Sequence, residues 1–164
     1  MVLRALRYDN RAEPTAYAPS TDQFAWRTRF DSAGLRVESG NGWTAILQWL
    51  DGETYIAPGG MELEWPFTAN FALLSKRFGK HMLSARYDEF EVRSSNKEPD
   101  GTQNGHAWTA AYVFQPDARW RFTLEWLRVV SDSFNRHDYF GTPALATDTQ
   151  IQLAIRYSIG SLVQ

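Results

Sequence analysis

Ile151, Leu153, Ile155, Tyr157 and Ile159 alternate without a break with Gln150, Gln152, Ala154, Arg156 and Ser158. Side chains leave a β-strand on opposite faces with period two, whereas a helix would mix the two sets. The segment therefore reads as one strand with an apolar face that carries an aromatic and a polar face that carries a charge. A soluble sheet would bury the first face and wet the second. A transmembrane barrel would set the first in lipid and the second in its lumen.

The same rhythm recurs along the chain. Trp120, Phe122, Leu124 and Trp126 oppose Arg121, Thr123 and Glu125. Trp108, Ala110, Tyr112 and Phe114 oppose Thr109, Ala111 and Val113. Trp43, Ala45, Leu47 and Trp49 oppose Thr44, Ile46 and Gln48, and Leu83, Ala85 and Tyr87 oppose Ser84, Arg86 and Asp88. Phe24, Trp26, Thr28 and Phe30 oppose Arg27, Arg29 and Asp31. Leu63, Trp65, Phe67, Ala69, Phe71 and Leu73 are read as the apolar face of their strand. The expected strands are about 2–9, 23–38, 43–56, 62–78, 81–93, 106–115, 120–133 and 149–159. Phe30 and Leu35 have opposite parity, so a bulge is expected at Ser32-Ala33-Gly34 to bring both to one face. Pro66 lacks a ladder donor and is expected near a strand end or a bulge.

Composition narrows the classes. A chain of 164 residues supports one domain, read as 1–164. It has no cysteine, which removes disulfides and thiolate metal sites, and a net charge of −2 leaves no basic footprint for nucleic acid. His81, His106 and His137 lack metal-ligand spacing, and no nucleophile elbow occurs, so neither metal, cofactor nor catalysis is expected. Gly40 to Gly42 and Gly59-Gly60 lead into no helix and so offer no phosphate cradle. No apolar run approaches the roughly 18 residues of a membrane helix, but barrel strands need only about 9–11 residues with alternate positions apolar.

The links add a second pattern. Ser39 to Gly42, Gly79-Lys80 and Pro116 to Arg119 are tight turns, and longer polar links lie between them. Short and long links alternate, as in barrels with short turns at one rim and long loops at the other. Interface aromatics are then expected at Phe24, Trp43, Tyr55, Trp65, Phe78, Phe114, Trp120, Phe134 and Tyr157, where indole and phenol rings suit the headgroup level. Arg27, Arg29, Asp31, Arg86, Asp88, Arg121, Glu125 and Arg156 are expected to line a wet lumen. Their five arginines outnumber three acids, which favours anions. The segment from Asp132 to Phe140 is expected as a surface loop rich in rings and charges.

The run Ile151-x-Leu153-x-Ile155-x-Tyr157-x-Ile159 resembles the closing β-signal of bacterial outer-membrane barrels, with Ile159 where an aromatic is usual and Gly160 to Gln164 running on. With Tyr8-Asp-Asn-Arg11, Gln23-Phe-Ala-Trp-Arg27 and Asn41-Gly-Trp-Thr-Ala45, the chain is similar to the C-terminal half of proteobacterial porin-like outer-membrane proteins. That resemblance implies an outer-membrane location, passive passage of small solutes, and contact with the lipid bilayer and the barrel-insertion machinery. Such porins usually have more than eight strands. Met1 to Asp9 is no signal peptide, so a mature or truncated chain, half a barrel, is expected.

The expected fold is all-β: an antiparallel up-and-down meander of about eight strands, forming a transmembrane β-barrel or the C-terminal portion of a larger one. The expected function is a porin-type channel with an arginine-containing lumen. A non-conducting barrel that anchors or binds through its loops is the alternative, and a soluble ligand-binding β-barrel the second.

Overall fold

Runs rich in aromatic and β-branched residues at period two become strands wherever a neighbour can complete the ladder. The computed structural model describes residues 1–10, 25–57, 63–94 and 102–159. It contains β1 (Val2–Asp9), β2 (Ala25–Glu38), β3 (Trp43–Ala57), β4 (Leu63–Phe78), β5 (His81–Val92), β6 (Gln103–Phe114), β7 (Trp120–Ser133), α1 (Phe134–Phe140) and β8 (Leu145–Tyr157). The strands form one antiparallel sheet in the order β1-β2-β3-β4-β5-β6-β7-β8, and β1 and β8 are its open edges. The expected all-β, eight-stranded, up-and-down meander is the fold observed. Expected strand ends differ most at β6 and β8, which begin at Gln103 and Leu145 rather than 106 and 149. There β7 continues to Ser133 and offers ladder partners, with Gln103 opposite Ser133 and Leu145 opposite Asp132.

The three tight turns lie at one end of the sheet. Gly42 takes φ 88°, open to glycine at little cost. Its carbonyl accepts the Arg77 N–H at 2.9 Å, and a Cβ there would sit 2.5 Å from the Arg77 carbonyl oxygen. Gly79, φ 59°, opens the two-residue turn into β5. In the third turn the Asp117 carboxylate accepts the N–H groups of Arg119 at 2.7 Å and Trp120 at 2.9 Å. Those two donors hold its carboxyl below the usual carboxylate value of 3.8. A lowered folded value means that the stabilisation is present above 3.8 and is lost as pH falls below it through the folded value. Acid titration of thermal stability should therefore show a steeper loss in this window for the wild type than for Asp117→Asn. Superimposable curves would remove the turn from the acid response.

Register decides which residues share a face, because a slip of one residue turns every side chain over. Each of the seven pairings advances one residue for one residue from end to end. The expected bulge at Ser32-Ala33-Gly34 is therefore absent: Ser32 pairs with Leu50, Ala33 with Trp49 and Gly34 with Gln48. Pro66 sits near the start of β4, before pairing with β5 begins at Phe67, and its carbonyl accepts the Arg93 N–H at 2.9 Å. The missing donor costs no rung of the central ladder.

The two faces are covered unequally. On β5, β6 and β7 one face carries Ser84, Arg86, Asp88, Thr109, Ala111, Val113, Thr123 and Glu125, all half-buried or buried, with Val113 the most enclosed apolar residue. The other carries Leu83, Ala85, Trp108, Ala110, Tyr112, Leu124 and Trp126, all exposed. No second layer packs on the covered face among the described residues, so the sheet itself curls toward it. We call the covered face inner and the exposed face outer. Two close approaches help the curl: the Phe67 ring lies over Gly52 and the Phe90 ring over Gly105, each pair directly cross-strand on the inner face.

Where a loop was expected after Asp132, Phe134–Phe140 form about two helical turns that end on Gly141 in the left-handed conformation. Arg136 fastens it. Its guanidinium donates to the Ser131 carbonyl at 3.0 Å, the Ala144 carbonyl at 2.6 Å and Ser131 Oγ at 2.8 Å. No helical period is legible here, because seven residues are too few to show one.

Candidate functional site

The outer face carries an apolar band of constant depth. From the short-turn end, β3 contributes Trp43, Ala45, Leu47 and Trp49, and β5 contributes His81, Leu83, Ala85 and Tyr87. β6 contributes Phe114, Tyr112, Ala110 and Trp108, and β7 contributes Trp120, Phe122, Leu124 and Trp126. β8 adds Tyr157, Ile155, Leu153 and Ile151. Toward the long-loop end the same face turns polar in one step, with Asp31, Asp51, Asn70, Glu89, His106, Arg128 and Thr149. Nearly every exposed large hydrophobic residue of β2 to β8 lies in this band. A patch of this extent exceeds what soluble monomers leave in water.

Aromatic rings border the band on both sides. At the short-turn side the rings run in file across β4 to β8. Phe78 and His81 lie 5.6 Å apart, His81 and Phe114 5.0 Å, and Phe114 and Phe122 6.2 Å. The file continues through Trp120, 5.8 Å from Phe122 and 4.7 Å from Tyr157. His81 Nδ1 lies 2.7 Å from the Tyr112 hydroxyl, and Lys76 Nζ sits 5.0 Å over the Trp43 ring. The far border is made by Trp49, Tyr87, Trp108 and Trp126, with Tyr87 and Trp108 4.8 Å apart. Six residue steps separate the two borders on a strand, about 20 Å at roughly 3.4 Å per residue.

Of the nine expected interface aromatics, Trp43, Phe78, Phe114, Trp120 and Tyr157 lie on the outer face at the short-turn border. Tyr55 is also outward but beyond the charged step, beside Arg27. Trp65 is corrected to the inner face, with the whole set Leu63, Phe67, Ala69, Phe71 and Leu73. The tight Gly79-Lys80 turn pairs Phe78 with His81, and this parity sends Leu74 and Ala72 outward instead. Phe134 begins α1 and belongs to no strand. Phe24 lies outside the described residues. The far border was missed although a signal for it exists: Trp43-x5-Trp49 and Trp120-x5-Trp126 place two indoles on one face, six residues apart.

The eight charges expected to share a lumen divide between faces. Arg86, Asp88, Arg121, Glu125 and Arg156 are inner. Arg86 donates through Nε to both Asp88 oxygens at 2.8 and 2.9 Å, and its guanidinium lies 4.2 Å over the Phe71 ring. Arg27, Arg29 and Asp31 are corrected to the outer face, because without a bulge they share the parity of Ala33, Leu35 and Val37. They stand beyond the apolar band at the long-loop end. There Glu53 accepts from Arg27 at 2.8 Å and pairs with Arg29 at 2.7 Å. Asp31 faces Arg7 at 3.8 Å.

The inner face also changes character across the sheet. On β4 and β5 it is mostly apolar, through Trp65, Phe67, Phe71, Leu73, Phe90 and Val92. On β6 to β8 it is polar, through Thr109, Arg121, Thr123, Glu125, Gln150, Gln152 and Arg156. Among the described residues no three acidic or histidine side chains gather as a metal site, and no helix is long and apolar enough to cross a membrane. Compared with protein-family models, curated proteins and solved structures, the chain finds no match.

Proposed function

We propose that this chain is wall of an outer-membrane β-barrel of porin type, whose outer band meets lipid and whose inner face meets passing solute. The observation that carries this reading is the apolar outer band edged on both sides by aromatic rings. Lipid removes the cost of exposing such a band, and the ring borders match the two headgroup levels. The ring borders stand about 20 Å apart along the strand; tilted by roughly 35–45°, their centres span roughly 15 Å of height, inside the roughly 25 Å apolar band of known barrels. The resemblance to porins, rather than the open edges of the sheet, is what suggests further strands.

A second reading is favoured by the inner face of β4 and β5. Trp65, Phe67, Phe71 and Phe90 are half-buried there and would fill a narrow barrel rather than line a wet one. On that reading the barrel conducts nothing and serves as an anchor.

Tryptophan quenching by brominated lipids tests the lipid assignment. Protein refolded into such liposomes should lose most of its Trp emission, strongest with bromines shallow in the acyl chain, near the border rings. Quenching no greater than for a protein free in buffer overturns the membrane reading. Conductance steps in planar bilayers then separate the channel from the anchor, and their absence in an inserted protein removes the channel.

A further inference from the structure

At the short-turn end the inner face carries Arg4 on β1, Arg36 on β2, Arg77 on β4, Arg121 on β7 and Arg156 on β8. Each lies within three residues of its strand end, so the five share one rim. Arg121 and Arg156 are direct cross-strand partners on one face. Like charges in that position destabilise a sheet unless something neutralises them. Arg36 has an acid, Glu38. No salt bridge reaches Arg4, Arg77, Arg121 or Arg156 among the described residues. At the long-loop end Asp9, Asp31, Asp51, Glu53, Glu64, Glu89, Glu91 and Asp132 stand on the outer face among arginines, and Asp148 is inner. Among the described residues the inner face has one further arginine, Arg86, which Asp88 engages, so the basic rim is confined to one mouth.

We propose that this rim is an oxyanion site: Arg121 and Arg156 hold a phosphate or carboxylate group of a small solute between them, and Arg4, Arg36 and Arg77 draw it to the mouth. Guanidinium forks match the paired oxygens of such groups, and a ring of one sign admits the opposite sign. The idea rests on the channel reading for transport, but the binding itself does not need conductance. Because the rim faces inward, the anion comes from solution and not from a lipid headgroup.

The test uses pyrophosphate and the whole chain refolded in neutral detergent. At constant ionic strength, a tenfold excess of pyrophosphate over its dissociation constant should raise the thermal midpoint by roughly 3–6 °C. Chloride should not, and neither should anionic lipid doped into the micelle. Arg121→Gln alone should raise the anion-free midpoint by relieving repulsion, and should abolish the pyrophosphate response. Arg156→Gln repeats the test from the other strand. An equal response in wild type and both variants overturns the site, and a response to anionic lipid in place of pyrophosphate overturns the assignment to a solute. In bilayers, Arg121→Gln with Arg156→Gln should lower the anion-to-cation permeability ratio roughly twofold or more. Conductance with unchanged selectivity removes the site and leaves the channel. A pyrophosphate response without conductance keeps the site and removes the channel.

Discussion

An arginine in place of Leu124 is expected to destabilise the refolded protein by about 2–4 kcal/mol, the cost of a cation on the lipid face near mid-depth. Leu124 stands in the middle of the outer band, 47% exposed, between Tyr112 on β6 and Leu153 on β8. In water the same change would forfeit only cross-strand contacts, worth about 0.2–1 kcal/mol each. Gln152→Arg supplies the contrast, because Gln152 is inner and lies directly opposite Glu125. It should cost under about 0.5 kcal/mol, as surface changes usually do. Urea unfolding from liposomes measures both. Equal and small effects at the two positions would mean that the outer band does not meet lipid.

Gly105→Val should cost about 1–3 kcal/mol, the usual penalty of overpacking. A Cβ at Gly105 would lie 2.6 Å from the Val130 carbonyl oxygen and 2.8 Å from Cζ of Phe90. The ring can yield but the carbonyl belongs to the β6–β7 ladder and cannot. Adding Phe90→Ala should therefore restore only part of the loss. Gly40, with nothing within 4 Å of a built Cβ, is the control: Gly40→Ala should be nearly neutral in the same unfolding experiment. A Gly105→Val protein as stable as the wild type would show that the sheet does not close over this pair.

Arg27, Arg29 and Asp31 have left the expected lumen for the outer face. As outer residues beyond the band, they hold Glu53 and Arg7 at the loop end rather than sort ions in a lumen. Arg4, Arg36 and Arg77 take their place on the inner side, and none of the three stood out in the sequence. Their strands are short, mixed or apolar on both faces, so no single strand showed which way they point.

The sequence by itself determined that strands form, how many there are and where the turns fall. The faces of Trp120 to Trp126 and Gln150 to Tyr157 were legible residue by residue, because period-two alternation is local and needs no partner. Alternating short and long links gave the meander, and glycines 42 and 79 marked its turns. Only the tertiary structure decided which face of β2 and of β4 looks outward. Parity within a strand is relative, and β4 is apolar on both sides, with Leu73 inward and Leu74 outward. Its facing is fixed by the hydrogen-bonded register that the Gly79-Lys80 turn imposes. That register placed Trp65 inside, carried three charges to the outer face, and gathered five arginines on one inner rim.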